Sequence, residues 1–124
     1  MFKFVEKLDS KLCNSNSDAL IVFGDNLIKK GKAGQAIIRD EPNAFGVPTK
    51  RLPSMDEGSF FSDRQDEYEI VKSKLIYLWN EHIKGKTVIL PNAQIGSGLA
   101  NLEQNSPKIN ELICRFYASA RAEN

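Results

Sequence analysis

A chain of 124 residues can bury one core but is too short for two ordinary domains. Its 17 Lys and Arg against 16 Asp and Glu leave a formal net charge of +1, and the charges are interspersed, which excludes charge-driven binding to nucleic acid or a membrane surface at large. With Cys13 and Cys114 lacking C-x-x-C spacing and His82 the single histidine, a disulfide scaffold and the common metal-ligand spacings are excluded as well.

The first segment, Phe2 to Val5, alternates as a short strand does, and Asn14-Ser15-Asn16-Ser17-Asp18 is a loop by its turn chemistry. The opening residues lack the apolar run of a signal peptide or a membrane span, so a reduced, cytoplasmic protein without a membrane partner is expected. Ala19-Leu20-Ile21-Val22-Phe23 is a continuous apolar run ending at Gly24, the pattern of a central strand covered on both faces. It places Asp25 and Asn26 at a strand's C-terminal end. A basic stretch, Lys29, Lys30 and Lys32, interleaves with Gly31, Ala33 and Gly34. It either steers an anionic ligand or is a solvated loop.

Gly34 to Arg39, including Gln35, predicts a short helix that stops before Pro42, because the residue before a proline disfavours helical backbone. Ala44 to Thr49 is a second, weaker strand whose Pro48 suits an edge or a strand end. Lys50 to Ser62 is the longest irregular stretch, the kind of loop that is functional or mobile. Ser62-Asp63-Arg64-Gln65 reads as a capping box opening a helix whose buried face carries Tyr68, Val71, Leu75, Leu78, Trp79 and His82, with Gly85 as its stop. Thr87 to Leu90 is a buried strand that runs through Pro91 into the turn Gln94-Ile95-Gly96-Ser97-Gly98-Leu99. Ser106-Pro107 then starts a last helix with an apolar stripe at Ile109, Leu112, Ile113, Phe116 and Tyr117. Strands alternating with helices predict a three-layer α/β domain with parallel central strands.

In such a sheet, ligands sit beyond the carboxyl ends of the strands. The residues expected there are Asp25, Asn26, Gly31, Ala33, Gly34, Gln35, Thr49, Lys50, Gln94, Ile95, Gly96, Ser97, Gly98 and Leu99. Two glycine turns after strands offer bare backbone N–H groups to phosphates, Asp25 and Asn26 offer hydrogen bonds for ribose hydroxyls, and Lys50 offers a cation. The set suits a nucleotide. Asp25 reads equally as a turn former, Phe60 and Phe61 as adenine-stacking or core residues, His82 as a helix-end residue, and Ser97 as a backbone phosphate contact rather than a nucleophile.

The run from Ala19 to Ile38, a strand ending in Asn26 and then a glycine-rich loop with Ala36-Ile37, resembles the macrodomain signature. Phe45-Gly46-Val47-Pro48-Thr49-Lys50, Val88-Ile89-Leu90-Pro91 and Gln94-Ile95-Gly96-Ser97-Gly98-Leu99 follow in the order of the branch that includes the terminal ADP-ribose glycohydrolases. The chain is similar also to poorly characterised bacterial and phage proteins with related strings. The resemblance spans roughly residues 18 to 117. It implies a three-layer α/β/α macrodomain-like fold with a mainly parallel sheet. It also implies an ADP-ribose-type ligand, free or carried on a macromolecule, with no cofactor or metal. Asn26 would contact the distal ribose, and the backbone around Gly31 to Gly34 and Ser97 to Leu99 the diphosphate. Lys50 falls on that branch's nucleophilic lysine, while Ala100 stands where the branch has an assisting aspartate. Three functions follow as expectations: recognition of ADP-ribose, hydrolysis of ADP-ribosyl linkages with Lys50 as nucleophile, and a protein-interaction module.

Overall fold

The computed structural model describes residues 1–123. In chain order the elements are β1 (Phe2–Val5), α1 (Ser10–Ser15), β2 (Leu20–Asn26), a 3-10 turn (Gly34–Ile38), β3 (Ala44–Lys50), a second 3-10 turn (Glu57–Ser59), α2 (Gln65–Ile83), β4 (Val88–Pro91), α3 (Leu102–Asn105) and α4 (Pro107–Ala122). All strand pairs are parallel, in the order β1-β4-β2-β3. The domain is α/β, with the sheet buried on both sides.

Alternation along the strands sorts side chains into two cores. Val22, Val47, Val88 and Leu90 point to the face covered by α2 and α4, where Val71, Leu75, Leu78, Ile109 and Ile113 meet them. Ile21, Phe23 and Ile89 point the other way, onto Leu8, Cys13, Ala36 and Ile38. This second cover is thin, made by α1 and the Gly34–Ile38 turn. Burial there pushes the Cys13 thiol pKa up, with Glu41 and Asp9 adding to the effect.

The structure corrects several expectations. Helix α1 occupies residues for which no element was expected and takes in Asn14 and Ser15 of the predicted loop. Asp9 caps it by accepting from the Leu12 N–H at 2.8 Å, but six residues are too few to show helical periodicity. The short helix expected from Gly34 is present, as the 3-10 turn Gly34–Ile38 that ends before Pro42. The capping box sits two residues later than predicted: α2 begins at Gln65, and Glu67 Oε1 accepts from the N–H groups of Ser62 and Arg64. Asp63, at φ +56°, is diverted to another helix. Its carboxylate accepts from Lys108 and Ile109 N–H at 3.0 Å each and so caps α4 from across the chain, while Ser106 Oγ accepts from Asp63 N–H. Pro48 lies on β3, an edge strand, as the sequence anticipates.

Strands β2 and β4 pair only at Leu20–Val88 and Ile21–Ile89 and part beyond these residues. The chain leaving β2 turns to the thin face, and the chain leaving β4 turns to the thick one. Neighbouring strands whose connections leave to opposite faces open a crevice at their carboxyl ends.

Candidate functional site

A cleft of about 300 Å³ occupies this crevice. Gly24, Asp25 and Asn26 of β2, Thr49 and Lys50 of β3, residues 30–36, Pro53, and Gly96 with residues 98–100 line it. Its floor is a β2–β3 irregularity, a register shift between Asp25 and Asn26.

Polar side chains hold the loop after β2. Asp25 is buried and ion-paired with Arg39, Nη1 to Oδ1 2.6 Å, with both side chains largely out of solvent. The same oxygen accepts the Asn26 N–H at 2.7 Å. Gly46 makes room for this carboxylate: a Cβ there would stand 2.5 Å from Asp25 Oδ2. Arg39 donates further to the carbonyls of Gly31, at 2.8 Å, and Lys30, at 3.2 Å, and lies 5.5 Å from the Phe23 ring centroid. The Asn26 carboxamide clasps Lys30, donating to its carbonyl at 2.8 Å and accepting from its N–H at 3.3 Å. Gln35 spans the gap where β2 and β4 part. Its Oε1 accepts the Gly24 N–H at 2.9 Å and its Nε2 donates to Ala93 O at 3.0 Å, replacing the missing ladder bonds.

Packing and backbone bonds hold the loop after β4. Leu102 fills the space under Gly96, which sits at φ +85°; a Cβ there would overlap the Leu102 side chain. Ser97, Asn101 and Leu102 N–H groups donate to Gln94, Gly98 and Gly96 carbonyls at 3.0 Å each. The Tyr117 hydroxyl donates to Pro91 O at 2.9 Å and accepts from Ile95 N–H at 3.4 Å. Desolvation drives its pKa upward.

These two loops leave a common residue. The backbone N–H groups of residues 31–35 and of residues 98–100 donate to nothing within the described protein. Lys30, Lys32 and Lys50 are the cations of the lining, Lys32 being paired with Asp40 outside it at 2.5 Å, and Asp25 is its one acid, already neutralised by Arg39. The cleft is therefore built of donors and positive charge.

Lys50 is 7% exposed. Its Nζ donates to Ser54 O at 2.5 Å, approaches Met55 Sδ at 3.5 Å and lies 4.7 Å from the Phe60 ring centroid. Among the described residues no carboxylate pairs with it, and burial lowers its pKa. The loop bearing these partners is fastened by Arg51, which reaches the buried Glu67 at 2.5 Å and Ser62 Oγ at 2.7 Å.

A family model described as a family of unknown function, DUF7831, matches residues 3–116. The chain belongs to the DUF7831 family. The matched span takes in β1 from Lys3, the other three strands whole and both loops of the cleft. No curated protein and no solved structure matches the chain.

Of the residues singled out in this DUF7831 sequence, the cleft brings together Asp25, Asn26, Gly31, Ala33, Gly34, Gln35, Thr49, Lys50, Gly96, Gly98 and Leu99. Three others lie off it. Gln94 turns to Asn110 and Cys114 on α4, Ile95 is fully buried in the core, and Ser97 Oγ donates to Gln94 O. Asp25, Asn26 and Gln35 act as braces more than as open ligand groups. Phe61 is core, whereas Phe60 lies beneath Lys50. Trp79 and Tyr68 are half-buried against the core, and His82 stacks on Phe2 with ring centroids 4.3 Å apart. Arg39 and Tyr117 are the site residues that sequence reasoning missed. Tyr117 was legible only as an apolar position, and an arginine at the end of a short turn carries no motif.

Proposed function

We propose that the cleft binds ADP-ribose or a related NAD-derived nucleotide through its diphosphate. One observation carries this reading: two loops that line one crevice present unpaired backbone N–H groups, at residues 31–35 and 98–100, beside Lys30 and Lys50. Charge-assisted bonds from N–H to phosphate oxygen are among the stronger ones proteins make, and the resemblance to macrodomains names a ligand with two phosphates to fill both loops. At about 300 Å³ the cleft is at the small end of ligand pockets. It cradles the diphosphate and leaves one end of the nucleotide outside, which accommodates a ligand carried on a macromolecule. Calorimetry with ADP-ribose, NAD, ADP and AMP tests the reading. ADP-ribose is expected to bind most tightly and AMP, with one phosphate, most weakly. Equal or absent binding across the four leaves the protein-interaction module.

A second reading, ADP-ribosyl hydrolysis, rests on Lys50, a buried amine at the cleft with a lowered pKa. A lysine attacks an anomeric carbon only when neutral, and burial favours that form. Against this, Ala100 supplies no carboxylate, Asp25 is engaged by Arg39, and Glu103 is exposed on α3 outside the lining. Release of ADP-ribose from a modified protein or nucleic acid, with a borohydride-trapped adduct on Lys50, decides for the hydrolase. Binding without turnover decides for the binder.

A further inference from the structure

The ligand-binding reading leaves open what aims the N–H groups of the first loop, and the network around Arg39 answers it. A trans peptide holds the carbonyl of one residue and the N–H of the next in opposite directions, and this chain has no cis peptide among its described residues. The Lys30 carbonyl accepts from both Arg39 Nη2 and Asn26 Nδ2, and the Gly31 carbonyl accepts from Arg39 Nε. The Gly31 and Lys32 N–H groups must therefore point away from the guanidinium. Both residues line the cleft, and neither N–H has a partner in the protein. The third guanidinium nitrogen is fixed on the Asp25 carboxylate, 2.6 Å away, so the fork cannot rotate without breaking a buried ion pair.

We propose that Arg39 is a positioning residue of the anion site: by pulling the Lys30 and Gly31 carbonyls inward it turns the Gly31 and Lys32 amides outward onto a phosphate group. Arg39 does not touch the ligand. Its positive charge is neutralised locally by Asp25, and its role is geometric. This inference rests on the reading of the cleft as a phosphate site. It predicts that lysine cannot replace arginine, because one ammonium cannot hold Asp25 and two successive carbonyls in a planar fork.

The experiment uses the full chain, 15N-labelled, with ADP-ribose and inorganic pyrophosphate as probes, in wild type, Arg39→Lys and the double variant Arg39→Met with Asp25→Asn. The double variant removes the pair without stranding a buried charge, so it is expected to keep the fold, and the thermal transition serves as its control. In wild type, the Gly31 and Lys32 amide resonances are expected to move downfield on titration. In Arg39→Lys and in the folded double variant, affinity is expected to fall about tenfold or more, the loss of one or two charge-assisted hydrogen bonds, with the shifts at residues 98–100 retained at saturation. Unchanged affinity in a folded double variant overturns the role of Arg39 and leaves the binding site standing. So does wild-type binding that bypasses the Gly31 and Lys32 amides. Absence of any binding by wild type overturns the reading of the cleft and the role of Arg39 together. A double variant that fails to fold leaves Arg39→Lys and the wild-type amide shifts to decide.

Discussion

The loops after β2 and after β4 present N–H groups to the same cleft, yet they are built by different physics. The first, residues 27–35, has almost no buried apolar side chain and is shaped by Arg39, Asn26 and Gln35, each bonding backbone that would otherwise be loose. The second, residues 92–101, is anchored by Ile95 and Ala100 in the core and by Leu102 seated under Gly96. A polar brace depends on a few directional bonds and one buried charge pair, so it fails abruptly when a member is lost. A packed turn loses stability in proportion to the misfit introduced.

Removing one half of the brace is expected to have the largest effect. Arg39→Met strands the Asp25 carboxylate in a buried position, at a cost of about 3–5 kcal/mol by analogy with other broken buried pairs. Chemical denaturation should show most of that loss recovered when Asp25→Asn is added. Failure of the second change to recover stability would place the damage in the other contacts of Arg39, with the Lys30 and Gly31 carbonyls and the Phe23 ring.

Next in size is the packed turn. Gly96→Ala places a methyl group into Leu102 on backbone at φ +85°, combining overpacking with a left-handed penalty, together about 2–4 kcal/mol. Gly98→Ala, with open space around the site and no positive φ, should stay within about 0.5 kcal/mol of wild type. Both glycines line the cleft, and the pair measured side by side by thermal unfolding separates the one that also serves packing from the one that does not. Gly34 is intermediate: at φ +57° with nothing near a Cβ, Gly34→Ala should cost about 1 kcal/mol through backbone strain alone. On the binding side, Gly34→Val and Gly98→Val are expected to hinder a diphosphate in folded protein, and unchanged calorimetric affinity would remove the ligand from these loops.

The smallest expected effect concerns pH. Burial lowers the Lys50 pKa below its unfolded value of about 10.4. In the window between the two values the unfolded state binds more protons than the folded one, so stability contributed through this group rises with pH and levels off above the unfolded value. Lys50→Met should flatten the rise, as read from denaturation midpoints at successive alkaline pH values. An unchanged slope would show that Lys50 is as well solvated as in the unfolded chain.

Much of this arrangement was legible in residue patterns, and the limits are instructive. The apolar runs at Ala19–Phe23 and Thr87–Leu90 announced doubly covered strands, and the glycines after them announced the two loops, because strand burial and left-handed turns constrain residue type locally. The start of α2 was misplaced because Asp63 looks like part of its cap while bonding α4, a contact 45 residues away that local pattern cannot encode. Asn26 reads in the sequence as an open ribose contact, and Asp25 as either a ribose contact or a turn former. Their hydrogen-bonding capacity is instead directed inward, since Arg39 and Lys30 reach them only once the loop has closed. Gln94, Ile95 and Ser97 belong to the turn's framework, a distinction set by which way each side chain leaves the backbone.

The most direct test of the central claim, that both loops bind one diphosphate, is an amide-resolved NMR titration of the wild-type chain with ADP-ribose. The account predicts saturable shifts at residues 31–35 and 98–100 that fit a single dissociation constant. Binding that perturbs one loop only, or neither, would contradict it.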